Sequence, residues 1–171
     1  MEKTEKEDLR IVRTKETIRK AFEQMICEMN YEQISVKELT ERARINRKTF
    51  YLHYNTLDDL LREKGVNSAM INLGGNVVLI GEKPDGSLWN VGIQRPYSDR
   101  TAVIGSVKAA DSTLVTSGTY ERKFEEDGVI YHHVLDPDTG YPVDTDLESV
   151  TIKAKRGNSS FCDGLSTVCL M

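Results

Sequence analysis

The hydrophobic period of this chain changes once, and that change divides it in two. Up to about Lys64 the apolar residues recur at helical spacing, as in Ile18, Phe22, Met25, Ile26 and Met29. Past Gly65 the pattern becomes that of strands broken by turns, beginning with residues 70–81 around the Gly74-Gly75 step. A sequence of this kind is expected to fold as α+β. An all-α helix-turn-helix head occupies residues 8–64. A mainly antiparallel β-sheet half-domain with a C-terminal helix occupies residues 65–171. With 171 residues in total, each part is near the lower end of what buries a self-sufficient core.

Local signals set the expected boundaries in the first half. Thr14 is placed to cap the first helix, which should end near Asn30. Ser35 caps a second helix, with Glu38 three residues on as the reciprocal partner of a capping box. Asn46 caps a third at once, leaving only Arg44 and Ile45 as the turn. Thr56 caps a fourth helix through Leu57, Leu60 and Leu61, and this should run straight on toward the first strand. Two short helices joined by a tight turn, the second opening on Arg47, Lys48 and Thr49, suit the major groove of DNA. Tyr51, His53 and Tyr54 are placed for phosphate contacts or packing. The same pattern equally describes a small helical bundle with a solvated basic face.

The net charge of −4 does not suggest a nucleic-acid binder, but averages hide patches. Arg42, Arg44, Arg47 and Lys48 fall within seven residues that contain no acid. Cys27, Cys162 and Cys169 show no metal-binding or paired spacing and read as reduced thiols. The charged N-terminus lacks the apolar core of a signal peptide, and no apolar run reaches the ~20 residues of a membrane span. A cytoplasmic protein with no membrane partner is expected.

In the second half, Asp85-Gly86 and Asp127-Gly128 each sit between strand-like runs and read as type I′ hairpin turns. Strands are expected at 101–108, 113–117 and 149–154, and a last helix near Ser160. Three clusters are candidates for chemistry. Asn72, Gly74 and Gly75 form a bare-backbone step, which by itself is more often a bulge than a site. His132 and His133 end a strand and face opposite ways, so at most one enters a given cleft. Asp163 and Thr167 lie four apart on one helix face. They could offer two oxygens to a hard cation such as Mg²⁺, although capping or surface roles are commoner for such a pair.

The segment ISVKELTERARINRKTFYLHYNTLDDLL, within residues 13–62, resembles the N-terminal domain of TetR-family transcriptional regulators. The resemblance implies a head that reads duplex DNA through Arg47, Lys48, Thr49, Tyr51, His53 and Tyr54, and acts as a homodimer. Many relatives have Gly where Arg44 stands, so Arg44 must tolerate an uncommon backbone conformation. That family continues into a long all-helical domain, a pattern not found after Lys64.

Residues 63–171 carry SAMINLGGNVVLIG, VTSGTYERKFEEDG, YHHVLDPDTGYP and CDGLST in order, and resemble the C-terminal part of the ApbE family, the FAD:protein FMN transferases. The resemblance implies Mg²⁺-dependent cleavage of FAD as substrate and transfer of FMN to a threonine or serine of an acceptor flavoprotein. By the same resemblance His133 is the catalytic histidine, Asp163 and Thr167 are Mg²⁺ ligands, and Asn72, Gly74 and Gly75 shape the flavin cleft. The family's N-terminal half, with an Ala-Lys-Gly step near metal and phosphates, has no counterpart in the sequence. Thr167 falls almost at the terminus, where helices fray. No transfer by this chain alone is the resulting expectation, because without the Ala-Lys-Gly segment both metal and phosphates are short of partners. The alternative reading is a DNA-binding regulator whose flavin-transferase-like half serves as sensor or dimerisation body.

Overall fold

The computed structural model describes residues 8–99 and 101–171. The chain separates into two compact units, which divide between Val66 and Asn67.

The first unit is helical: α1 (Leu9–Glu28), α2 (Val36–Arg42), α3 (Arg47–Tyr51) and α4 (Asp58–Glu63), with one 3-10 turn at Tyr31–Gln33. Ile18, Phe22 and Met25 from α1 meet Leu39, Phe50 and Leu60 in a single apolar core. Ile26 falls off that stripe and is 42% exposed. The Ser35 capping box forms: Ser35 Oγ accepts from the Glu38 amide at 3.1 Å, and the Ser35 amide donates to Glu38 Oε2 at 3.2 Å. Asn46 Oδ1 likewise accepts from the Thr49 amide at 2.8 Å. Arg44 adopts φ 53°, the left-handed conformation that lets α2 turn into α3 so abruptly.

Two expected caps are displaced by carboxylates nearby. Asp8, not Thr14, caps α1 by accepting from the Arg10 amide at 2.9 Å. Thr14 then lies inside the helix and donates to the Arg10 carbonyl at 2.8 Å. At α4, Asp59 Oδ2 takes the amides of Asn55 and Thr56, at 2.8 and 3.2 Å, so Thr56 caps nothing and the helix starts at Asp58. α4 also stops at Glu63 instead of running on, because Gly65 turns the chain at φ +86°.

The second unit is built on a four-stranded antiparallel sheet in the order β1-β2-β5-β8. Its strands are β1 (Ala69–Asn72), β2 (Asn76–Ile80), β5 (Ser112–Gly118) and β8 (Ser149–Lys155). Two separate hairpins, β3 (Trp89–Gln94) with β4 (Val103–Ala109) and β6 (Lys123–Glu126) with β7 (Val129–His132), interrupt the order. Helix α5 (Ser159–Val168) closes the unit. Period-two alternation gives β5 two distinct faces. Leu114 faces an apolar cluster with Val77, Leu79, Val91 and Ala109, so the β3–β4 hairpin covers that side. Thr113 and Ser117 face the other way and touch Ser159 and Ser166 of α5.

Asp127-Gly128 makes the expected tight turn between β6 and β7, with φ 51° and 75°. Asp85-Gly86 does not join paired strands. β2 pairs with β1 and β5, and β3 pairs with β4. The 83–87 segment closes on itself instead, with the Lys83 amide on the Ser87 carbonyl at 2.9 Å. No helix among the described residues is long and apolar enough to cross a membrane.

Candidate functional site

Among the candidate residues of the sheet unit, Asn72, Gly74 and Gly75 lie by Thr116 on one face of β5 and Thr167 lies by Ser117 on the other. On the hairpin face lies an open cleft of about 390 Å³, lined by Asn72, Gly74, Gly75, Gly92, Thr116 and Tyr120 among others. The β1–β2 turn supplies its rim. Asn72 Oδ1 accepts from the Gly74 amide at 3.2 Å, and both glycines take positive φ, 67° and 97°. A Cβ on Gly75 would stand 3.1 Å from the Thr116 carbonyl oxygen, while the Gly75 carbonyl accepts from the Thr116 amide at 2.8 Å. Glycine at 75 is therefore required by close backbone approach as well as by conformation. Thr116 and Thr151 pair their hydroxyls at 2.9 Å on the cleft wall. Burial, helped by the neighbouring Glu121 charge, raises the Tyr120 phenol above its ordinary value.

On the opposite face α5 carries Asp163 and Thr167, neither of which lines the cleft. Asp163 is exposed, and its carboxylate makes no hydrogen bond or ion pair with another described residue. Thr167 is half-buried, and its hydroxyl donates to the Asp163 carbonyl at 3.1 Å. Its lone pairs stay available. Both groups are hard oxygen donors, which suits Mg²⁺; that ion takes one or two protein ligands and completes its shell with water and phosphate oxygens. Among the described residues no group of three or more His, Cys, Asp and Glu side chains could hold an ion.

His133 follows β7 and is exposed, with its amide on the Arg122 carbonyl at 3.1 Å. The next residue, Val134, is buried with Val143 and Leu170. The histidine-bearing segment and the end of α5 thus share a small core. This corrects the expectation of a frayed terminus: Leu170 is fully buried three residues past Thr167. Asp136 holds the turn that follows. Backbone hydrogen bonds from Thr139 and then Asp138 keep its carboxyl below the ordinary value. His132 points elsewhere, and its Nδ1 is buried without a partner.

In the helical unit, Arg47 and Lys48 are exposed at the start of α3, Tyr51 is exposed and His53 is half-buried. Thr49 turns its hydroxyl back to Asn46 at 3.0 Å. Tyr54 is not available as a surface contact: it is 6% exposed and its hydroxyl donates to Glu63 Oε2 at 2.6 Å. Burial and then that bond push the Tyr54 phenol far above its ordinary value.

Sequence reasoning missed Thr116, Thr151 and Tyr120 of the cleft wall and Ser117 and Ser166 beneath Thr167. The hydroxyls of β5 stand in two adjacent pairs in STLVTSG, but the partners of Thr116 and Ser117 lie 35 and 49 residues away.

A mixed helix and antiparallel-sheet fold with this arrangement is that of a known family. The ApbE family description matches residues 3–171, and the chain belongs to that family. The match takes in the helical unit as well, whereas the sequence reading divides the chain near residue 64. An FAD:protein FMN transferase of Klebsiella pneumoniae is 50% identical over 94 residues, 55% of this chain and 28% of that protein. One from Treponema pallidum is 43% identical over 122 residues, 66% of this chain and 33% of that protein. The crystal structure of the ApbE protein from Thermotoga maritima superposes with a TM-score of 0.57 at 35% identity, over 75% of this chain and 36% of that one. The chain spans about a third of the length of the curated relatives it matches.

Proposed function

We propose that this protein acts as a Mg²⁺-dependent FAD:protein FMN transferase, with FAD as substrate and a flavoprotein as acceptor. The observation that supports the reading is the shared core of Val134, one residue after His133, and Leu170, three residues after Thr167. Asp163 and Thr167 would hold the cation, which supplies charge neutralisation on the pyrophosphate. Asn72, Gly74 and Gly75 shape the cleft at the same end of β5, where bare backbone lets a flat ring approach. His133 accepts the proton of the acceptor hydroxyl at an imidazole nitrogen. The hydroxyl oxygen bonds to the flavin-side phosphorus, the bridging P–O bond breaks, and AMP departs with the electron pair.

The test is to incubate the protein with FAD, Mg²⁺ and an acceptor flavoprotein, then look for covalent flavin fluorescence in a denaturing gel. A fluorescent acceptor band is expected, lost on His133→Ala and on chelation. A band that survives either treatment overturns the mechanism.

A second reading is favoured by the exposed, capped, basic start of α3. In it the helical unit is a TetR-like head that binds duplex DNA through Arg47, Lys48, Thr49, Tyr51 and His53. The sheet unit then serves as sensor or dimerisation body, pairing two copies through an unpartnered edge at β1 or β8. A cytoplasmic location belongs to this reading. Arg47→Ala should cost about 1–3 kcal/mol at one base position; no shift of labelled duplex by the intact protein at low salt would end it.

A further inference from the structure

Beneath Thr167 lies a short chain of hydroxyls that the proposed reaction does not use. Ser117 Oγ on β5 is 2.6 Å from Ser166 Oγ and 3.4 Å from Thr167 Oγ1. Ser166 is fully buried and lies 3.0 Å from the Asp163 carbonyl oxygen. Thr167 lies 3.1 Å from the same carbonyl.

Each hydroxyl has one proton and two lone pairs, which fixes the directions. If Ser166 donates to the Asp163 carbonyl and accepts from Ser117, both short contacts are hydrogen bonds. If Ser166 donated to Ser117 instead, its lone pairs would face the lone pairs of the carbonyl at a fully buried position, at a cost. The first arrangement therefore holds. The Ser117 proton is then spent on Ser166, and Ser117 can offer Thr167 only lone pairs. Both inward neighbours of the Thr167 hydroxyl, the Asp163 carbonyl and Ser117 Oγ, are acceptors. The Thr167 proton is drawn into the protein and its lone pairs are left for the open side.

We propose that Ser117 and Ser166 are positioning residues that fix the Thr167 hydroxyl in the orientation a cation ligand needs. This rests on the reading of Asp163 and Thr167 as metal ligands. Ser117 also neighbours Thr116, which faces the cleft. The strand end thereby links the cleft wall to the cation face through consecutive residues.

The test titrates Mn²⁺, as a stand-in for Mg²⁺, into the full-length chain and reads bound ion by water-proton relaxation well below the melting temperature. Ser117→Ala should weaken Mn²⁺ roughly tenfold, the scale of an outer-shell partner, and Ser117→Thr should restore wild-type binding because it keeps the hydroxyl. Ser166→Ala should weaken it similarly, and also lower the melting temperature. A purely structural role would lower melting without moving the Mn²⁺ affinity of the folded chain. If Asp163→Asn and Thr167→Val lose Mn²⁺ while Ser117→Ala binds it as wild type does, the positioning role is overturned and the ligands stand. If Asp163→Asn leaves Mn²⁺ binding unchanged, the ligand reading falls, and the positioning role with it.

Discussion

The two units bury different chemistry. The helical unit closes on Ile18, Phe22, Met25, Leu39, Phe50 and Leu60. Two polar residues buried there among those described, Thr40 and Asp58, are satisfied locally or by one partner: Thr40 by the Val36 carbonyl at 2.8 Å, Asp58 by the Tyr31 hydroxyl at 2.6 Å. The sheet unit instead buries Ser112, Thr113, Thr119 and Ser166 along β5 and the elements against it. Buried hydroxyls are costly unless paired, so their concentration marks where geometry is being specified. An apolar core tolerates repacking. A hydroxyl row does not, and it is the hydroxyl row that lies under the proposed cation face.

Truncating each kind of interior should separate them. Phe50→Ala removes a fully buried ring. It should cost the helical unit about 3–5 kcal/mol, read as lost cooperative unfolding by circular dichroism in urea. A smaller loss would mean that the core is loose. Thr113→Val in the sheet unit removes the 2.6 Å bond to Ser159 at almost constant volume. It should cost about 1 kcal/mol, the net worth of one hydrogen bond, because Ser159 is only half-buried. Adding Ser159→Ala should recover part of that loss, a coupling that a double-mutant cycle measures directly. Additive losses would show that the hydroxyl pair is incidental.

Local effects follow at the surface. Asn46→Ala deletes the α3 cap and should cost about 1 kcal/mol, seen as a lower urea midpoint for the helical unit alone. At Asp136 the folded carboxyl is depressed by the amides of Thr139 and Asp138. A depressed carboxyl stabilises fully above its unfolded value and loses that contribution as pH falls through the folded one. The 136–139 turn should therefore hold at neutral pH and loosen only in acid below the ordinary carboxylate value of 3.8. Amide exchange at Thr139 should quicken over that range, and Asp136→Asn should remove the pH dependence.

Features decided within three or four residues were legible in the sequence. The Ser35 and Asn46 caps, the left-handed Arg44 and the Asp127-Gly128 turn all depend on neighbours in the chain. Thr14 misled because Asp8, a stronger acceptor, caps the Arg10 amide and starts α1 earlier, and Thr56 misled because Asp59 holds the amides of Asn55 and Thr56 while the helix starts at Asp58. Asp85-Gly86 misled for a different reason. A turn signal does not say which strands pair, and here β5 takes the place beside β2. The anchoring of the last residues was likewise invisible, since Leu170 is held by Val134 and Val143 from a distant loop. Asn72, Gly74 and Gly75 do line a cleft, while Asp163 and Thr167 lie across the strand from it, a separation that only the sheet register shows.

The most direct test of the account is FAD binding to the intact protein with and without Mg²⁺, for the wild type and for Asp163→Asn. The account predicts that Mg²⁺ tightens FAD binding in the wild type and has no effect on Asp163→Asn. FAD binding indifferent to Mg²⁺ in the wild type, or equally enhanced in Asp163→Asn, would contradict it.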